Sequence, residues 1–138
     1  MFSLSKRTEY GLSALTYLST LDDDQVTNVT EMANNLVLPK ELLAKILSEL
    51  VKAGLAVSYT GVSGGFRLAR NADDVSLADI INALEKKPTL IECVPNEEIC
   101  GRFPICRIRR PMERVNDQME GILRKTTLSD FTMEHHEV

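Results

Sequence analysis

Two short runs, Leu55-Ala56-Val57-Ser58-Tyr59-Thr60 and Phe66-Arg67-Leu68-Ala69, flank the sequence Gly61-Val62-Ser63-Gly64-Gly65. Runs of that length around a glycine-rich tip read as a β-hairpin. Glycines at the tip let one backbone approach another closely. The segment before the hairpin is helical. Leu42, Leu43, Ile46, Leu47 and Leu50 recur at helical spacing between Pro39 and Ala53. Pro39 suits the first helical position, where its missing N–H costs nothing, and Gly54 suits the left-handed position after the last turn. A shorter helix precedes this one, with Thr27 as its N-cap and an end near Asn35. Leu36-Val37-Leu38 forms the turn between the two. Helix, turn, helix and hairpin in this order spell a winged helix-turn-helix.

The rest of the pattern is also helical. Leu12, Leu15 and Leu18 stripe a first helix from about Ser5 to Leu21, which the polar Asp22-Asp23-Asp24 ends. Val26-Thr27 forms a short strand or leads straight into the second helix. Ser76-Leu77-Ala78-Asp79 is a capping box, and Leu77, Ile80, Ile81 and Leu84 supply the apolar face that follows. Met112, Val115, Met119 and Ile122 repeat at 3-4-3 spacing, a seam for a long helix that packs against a partner. The expected fold class is mainly α: a winged helix-turn-helix with a β-hairpin wing, a cysteine-bearing loop and a long C-terminal dimerisation helix. The expected boundaries are 1–85 for the DNA-binding unit, 86–111 for the loop, 112–130 for the dimerisation helix and 131–138 for a flexible tail holding His135 and His136.

The recognition helix of such a unit enters the major groove by its N-terminal residues, here Pro39, Lys40 and Glu41. The formal net charge of −4 argues against a nucleic-acid partner only as an average. Residues 39–70 carry Lys40, Lys45, Lys52, Arg67 and Arg70 against Glu41 and Glu49, and residues 101–114 carry five arginines against Glu113. DNA binding rests on these two basic islands. Lys40 can meet a phosphate, and Glu41 can accept from a cytosine amino group. The leucines line a core in any case, but core lining accounts for neither the glycine tip nor the local charge. With 138 residues there is no room for a separate catalytic domain, and the sequence holds no Ser–His–Asp set or phosphate-binding loop, so an enzyme is not expected. No apolar stretch approaches the roughly 20 residues of a spanning helix. The N-terminus lacks a signal-peptide pattern, so the expected address is the cytoplasm, away from membranes.

All three cysteines fall in 14 residues, spaced Cys93-x6-Cys100-x5-Cys106, and four of the five prolines lie in or beside that window. An odd count without a secretion signal argues against a disulfide framework. The spacing matches neither the close pair of structural zinc sites nor a redox pair. Neighbouring arginines favour thiolates, and clustered thiolates suit a metal centre. That centre is an iron–sulfur cluster, which normally takes a fourth ligand, or zinc with three thiolates and one further ligand. Three cysteines without a ligand role remain a third possibility on spacing alone.

Gly61-Val62-Ser63-Gly64-Gly65-Phe66-Arg67-Leu68-Ala69-Arg70 resembles the wing of the iron–sulfur winged-helix transcription regulators that include IscR and NsrR. So do Ser5-Lys6-Arg7-Thr8-Glu9-Tyr10-Gly11-Leu12, Leu47-Ser48-Glu49-Leu50-Val51-Lys52-Ala53-Gly54-Leu55 and Val75-Ser76-Leu77-Ala78-Asp79-Ile80-Ile81. The similarity spans roughly residues 3–125 in the family's order. It implies a homodimeric regulator, a repressor, of a double-stranded DNA operator. The recognition helix would read the major groove and the wing the adjacent minor groove. DNA contacts then fall on Lys6, Pro39, Lys40, Glu41, Tyr59, Thr60, Ser63, Gly64 and Arg67. Thr60 stands where family members often carry a basic residue, which leaves minor-groove reading to Arg67. The resemblance also implies an iron–sulfur cluster, 2Fe–2S or 4Fe–4S, on Cys93, Cys100 and Cys106, the first gap being one residue longer than usual. The fourth-ligand His of IscR-like members is replaced by Arg109. In NsrR-like members an acidic residue near the start of the partner subunit's first helix completes the site, and Glu9 aligns with it. The implied function is a regulator whose operator affinity follows nitric oxide, iron or cluster supply, or redox state. The alternative is a zinc- or thiol-based metal-binding protein of the same fold without cluster sensing.

Overall fold

The computed structural model of the chain describes residues 3–85 and 107–134. Within them lie α1 (Lys6–Ser19), α2 (Val29–Leu36), α3 (Lys40–Lys52), β1 (Ala56–Tyr59), β2 (Gly65–Leu68), a single 3-10 turn (Ala72–Asp74), α4 (Leu77–Leu84), α5 (Arg109–Lys125) and α6 (Leu128–Glu134). The mainly helical winged fold expected from the sequence is the fold observed.

Short-range chemistry starts and stops most of these helices. The Ser5 hydroxyl accepts from the Thr8 N–H at 3.2 Å and caps α1. Ser76 and Asp79 form the expected capping box of α4, at 3.1 and 3.0 Å. α3 ends at Gly54, where φ is +78° and the Leu55 N–H returns to the Leu50 carbonyl at 3.0 Å. Pro39 is the N-cap of α3 rather than its first helical residue, one position from expectation.

The cap of α2 corrects the sequence reading. Asn28, not Thr27, is the N-cap; its Oδ1 accepts from the Glu31 N–H at 2.8 Å. Thr27 instead bridges to the hairpin. Its N–H donates to the Phe66 carbonyl at 3.1 Å, and the Phe66 N–H donates to the Thr27 carbonyl at 2.8 Å. Both backbone groups of Thr27 are thereby satisfied across the wing base, so the helix starts one residue later.

The strands pair antiparallel, Ala56 with Leu68, Val57 with Arg67, Ser58 with Phe66 and Tyr59 with Gly65. A two-stranded hairpin is marginal alone, and this one is held by the core beneath it. Leu15 and Leu18 from α1, Met32 from α2, and Leu43, Ile46, Leu47 and Leu50 from α3 are buried together with Leu55, Val75, Ile80, Leu84 and Leu128. The apolar face read in α3 is thus the floor of the helix-turn-helix, and its opposite face is left for solvent.

The C-terminal helix departs from the expected 112–130. α5 begins at Arg109, inside the segment assigned to the loop, and stops at Lys125. Thr126 turns extended, with φ −84° and ψ 120°. Its carbonyl accepts from the Leu77 N–H at 2.8 Å, and the Leu128 N–H donates to the Val75 carbonyl at 3.0 Å. These two bonds bring the chain back onto the head of α4, and Leu128 enters the core fully buried. Phe131–Glu134, expected as part of a flexible tail, belong to α6, which packs on α1 and on the 3-10 turn.

α5 packs on α4 with an inverted polarity. Arg109, Glu113, Asn116 and Glu120 are turned inward, Asn116 being only 4% exposed. Ile108, Val115 and Ile122, spaced seven residues apart, are 56%, 47% and 66% exposed. A surface helix normally does the opposite.

Candidate nucleic-acid interface

The outward face of α3 consists of Lys40, Glu41, Ala44, Lys45 and Ser48, all exposed. These positions are the complement of the buried Leu43, Ile46, Leu47 and Leu50, so the helix presents a polar stripe two turns long beside the turn at Val37. Glu49 does not spoil its charge, because Arg7 of α1 pairs with it across the α1–α3 contact. Lys40 and Lys45 then outweigh Glu41 on this face. Pro39, at the helix head, is exposed as well. The sequence places Pro39, Lys40 and Glu41 here; Lys45, counted there toward the basic island, and Ser48 share this face by helical spacing.

The wing projects from the same unit. Gly64 sits so close to the Tyr59 carbonyl that no side chain fits there, and its N–H donates to the Gly61 carbonyl at 3.1 Å. Thr60, Ser63 and the tip residue Val62 are exposed. Tyr59 is half exposed and carries the Arg67 guanidinium over its ring, 5.0 Å from the centroid. Arg67 also donates to Asp24 Oδ1 at 3.3 Å. The Arg67–Tyr59 pair is prearranged, and Asp24 competes with any phosphate for the cation. Behind it a cleft of about 650 Å³ is lined by Asp22, Asp23, Asp24 and Asp74 as well as Arg67 and Arg70. Four carboxylates against two guanidinium groups make this wall unfavourable to a phosphate backbone.

The first turn of α1 gathers the remaining residues singled out by sequence. Lys6 donates to Glu9 at 3.1 Å, and this hydrogen bond, with the charge of Glu9, holds the Lys6 pKa above its ordinary value. The expected DNA cation and the expected fourth ligand are therefore partners of each other. Both are solvent-exposed, so the pair is weak and screened by salt. On the inner side, buried Thr8 donates from Oγ1 to Glu85 Oε2 at 2.5 Å, and the Ser5 N–H lies 3.5 Å from the same oxygen. Glu85 directly precedes the segment that holds the cysteines. Arg109, which stands in the place of the His ligand, pairs with Glu113 at 2.6 Å. Cys93, Cys100 and Cys106 lie outside the described residues. Among the described helices none is long and apolar enough to cross a membrane.

Comparison with known proteins places this geometry. Residues 4–134 match the Rrf2 family, described as iron-dependent transcriptional regulators. CymR, the global cysteine regulator of B. subtilis, superposes with a TM-score of 0.78 at 28% identity, over 97% of this chain and 98% of that one. IscR of T. potens gives a TM-score of 0.72 at 26% identity over 99% and 90% of the two chains. CymR of Staphylococcus aureus gives 0.69 at 26% identity over 93% and 96%. With a helix-turn-helix, a wing and a family match over nearly its whole length, the chain belongs to the Rrf2 family of DNA-binding transcription regulators.

Proposed function

We propose that the chain is a homodimeric repressor whose operator affinity is set by an iron–sulfur cluster on Cys93, Cys100 and Cys106, with Glu9 of the partner subunit as fourth ligand. The observation that carries this reading is the joining of a three-thiol segment to a DNA-reading head through one turn of helix. Glu85, at the foot of the thiol segment, accepts from Thr8 at 2.5 Å. One residue earlier, Arg7 pairs with Glu49 of α3. A change in the segment thus reaches the recognition helix through Ser5–Thr8.

The donor set fits a cluster. Three thiols lie within 14 residues, and Arg107, Arg109 and Arg110 follow the last of them and favour thiolates. Glu9 lies on the outer side of α1 with its carboxylate about half exposed, so only the weak Lys6 pair has to open for it to ligate. A bound cluster supplies a centre that reacts with nitric oxide or oxidants and is lost when iron is scarce. The chain's own residues do the rest. Lys40 and Lys45 neutralise phosphates, Glu41 and Ser48 face base edges, and Arg67 follows the wing into the minor groove. Met112, Val115, Met119 and Ile122 of α5, with Ile108 just before it, form the apolar seam that a second copy covers, and this fixes the spacing of the two recognition helices. A coupling of about 1–3 kcal/mol between cluster and operator changes affinity roughly 5–150-fold, enough for a switch.

Anaerobic purification with iron and sulfide counting tests the cluster. The expected product is brown, with a visible band that the Cys93/Cys100/Cys106→Ala triple variant lacks. A colourless product holding zinc instead overturns the cluster and leaves DNA binding intact. Glu9→Ala is expected to shift the spectrum and shorten the cluster's lifetime; no change in either removes Glu9 from the ligand set.

A further inference from the structure

Val37 makes the turn between α2 and α3 with φ +56° and ψ +52°, the left-handed conformation. β-branched residues are the worst suited to it, because their branched side chain crowds the backbone. Glycine or asparagine adopts it at little cost and is the usual choice at this position. The turn draws nothing from the side chain. Its bonds are backbone ones, from the Val37 and Leu38 N–H groups to the Ala33 carbonyl. Burial gives no return either, since Val37 is 87% exposed. The isopropyl group is therefore unfavourable to the free chain both in backbone conformation and in apolar exposure. Strain kept in this way at a functional surface points outward, to something the side chain meets only in a complex.

Its place in the fold says what that is. Val37 lies two residues before Pro39 at the head of α3, next to the polar stripe that begins with Lys40 and Glu41. The other large apolar side chains exposed in residues 3–85 are Tyr59 and Val62, both on the wing. Val37 is thus the apolar group at the entrance of the recognition helix. The floor of the major groove offers one apolar feature, the C5-methyl of thymine. We infer that Val37 is a specificity-determining residue, packing its isopropyl group on a thymine methyl at the edge of each half-site. This rests on the DNA-binding reading above and adds a base preference to it.

The test starts from duplexes selected out of a random-sequence library by the full-length chain, with each thymine then replaced in turn by deoxyuridine. Loss of one buried methyl at one position per half-site is expected to weaken wild-type binding about fourfold. Val37→Gly and Val37→Asn relieve the turn, so both are expected to unfold at a higher temperature than wild type. Both are expected to bind the parent duplex at least about fourfold more weakly and to be indifferent to the same uracil. Variants that bind the parent duplex as tightly as wild type, or that show the same uracil profile, overturn the inference and leave DNA binding standing. Variants that unfold at a lower temperature overturn the strain argument. Failure of the wild-type chain to select any duplex overturns both the inference and the reading it rests on.

Discussion

Ile122→Ala should dissociate the dimer without unfolding the chain. Ile122 is 66% exposed on the outward seam of α5. Burying an isoleucine fully is worth about 1.5–3 kcal/mol, so the part still exposed represents about 1–2 kcal/mol. A two-fold interface contains the residue twice, which doubles the figure to about 2–4 kcal/mol per dimer. Alanine keeps its Cβ, so the expected loss is about 1.5–3 kcal/mol, or a dimer weakened roughly tenfold to 150-fold. Sedimentation velocity over a dilution series reads this directly. A parallel variant separates interface from core. Ile80 is fully buried, and Ile80→Ala should cost about 2–5 kcal/mol of folding stability, whereas Ile122→Ala should leave the unfolding of the monomer unchanged. A wild-type dissociation constant in Ile122→Ala would refute the assignment of this seam to a second copy. So would a loss of monomer stability equal to that of Ile80→Ala.

Lys40→Ala and Lys45→Ala should each reduce the slope of log affinity against log salt by about 1 per protomer, about 2 for the dimer, measured by fluorescence anisotropy on a selected duplex. An unchanged slope for Lys45→Ala would remove it from the interface and return the contact set to the first turn of α3. Thr8→Val takes the donor from Glu85 Oε2 and leaves that carboxylate without its 2.5 Å bond. It should lower stability by about 1–3 kcal/mol in thermal unfolding and shrink the change in DNA affinity on cluster loss, whereas an intact change would exclude Ser5–Thr8 as the route. Asp24→Asn removes the charge that competes for Arg67, leaving at most a neutral acceptor in its 3.3 Å pair, and should tighten DNA binding while steepening its salt dependence. Weaker binding would mean that Asp24 positions Arg67 rather than competing for it.

What the sequence made legible follows the range of the forces involved. Gly54, the Ser76–Asp79 box and the leucine face of α3 act within one or two helical turns, and their spacing states their structure. The same spacing puts Lys45 and Ser48 on the outer face with Lys40 and Glu41. Thr27 was misread as a cap because its partner, Phe66, lies across the wing base. The break at Thr126 was hidden for the same reason. The 3-4 apolar spacing of α5 ends at Ile122, and only the bonds to Val75 and Leu77 show that the chain turns back. The pairs of Arg67 with Asp24, Thr8 with Glu85 and Arg7 with Glu49 span 43, 77 and 42 residues, and no periodicity encodes them. Val37 is a different case. The turn was placed correctly, but a left-handed valine contradicts the residue preferences that sequence reasoning relies on, so its conformation became visible only in the backbone angles.

In the proposed function one chain couples a thiol-held cluster to a DNA-reading face. The most direct measurement is operator affinity, by anisotropy, of one anaerobic preparation before and after its iron is removed. The Cys93/Cys100/Cys106→Ala variant is carried alongside. Wild-type affinity is expected to change roughly 5–150-fold on iron removal and to end at the value of the triple variant. Equal wild-type affinity in both states, with iron and sulfide demonstrably bound at the start, would contradict it.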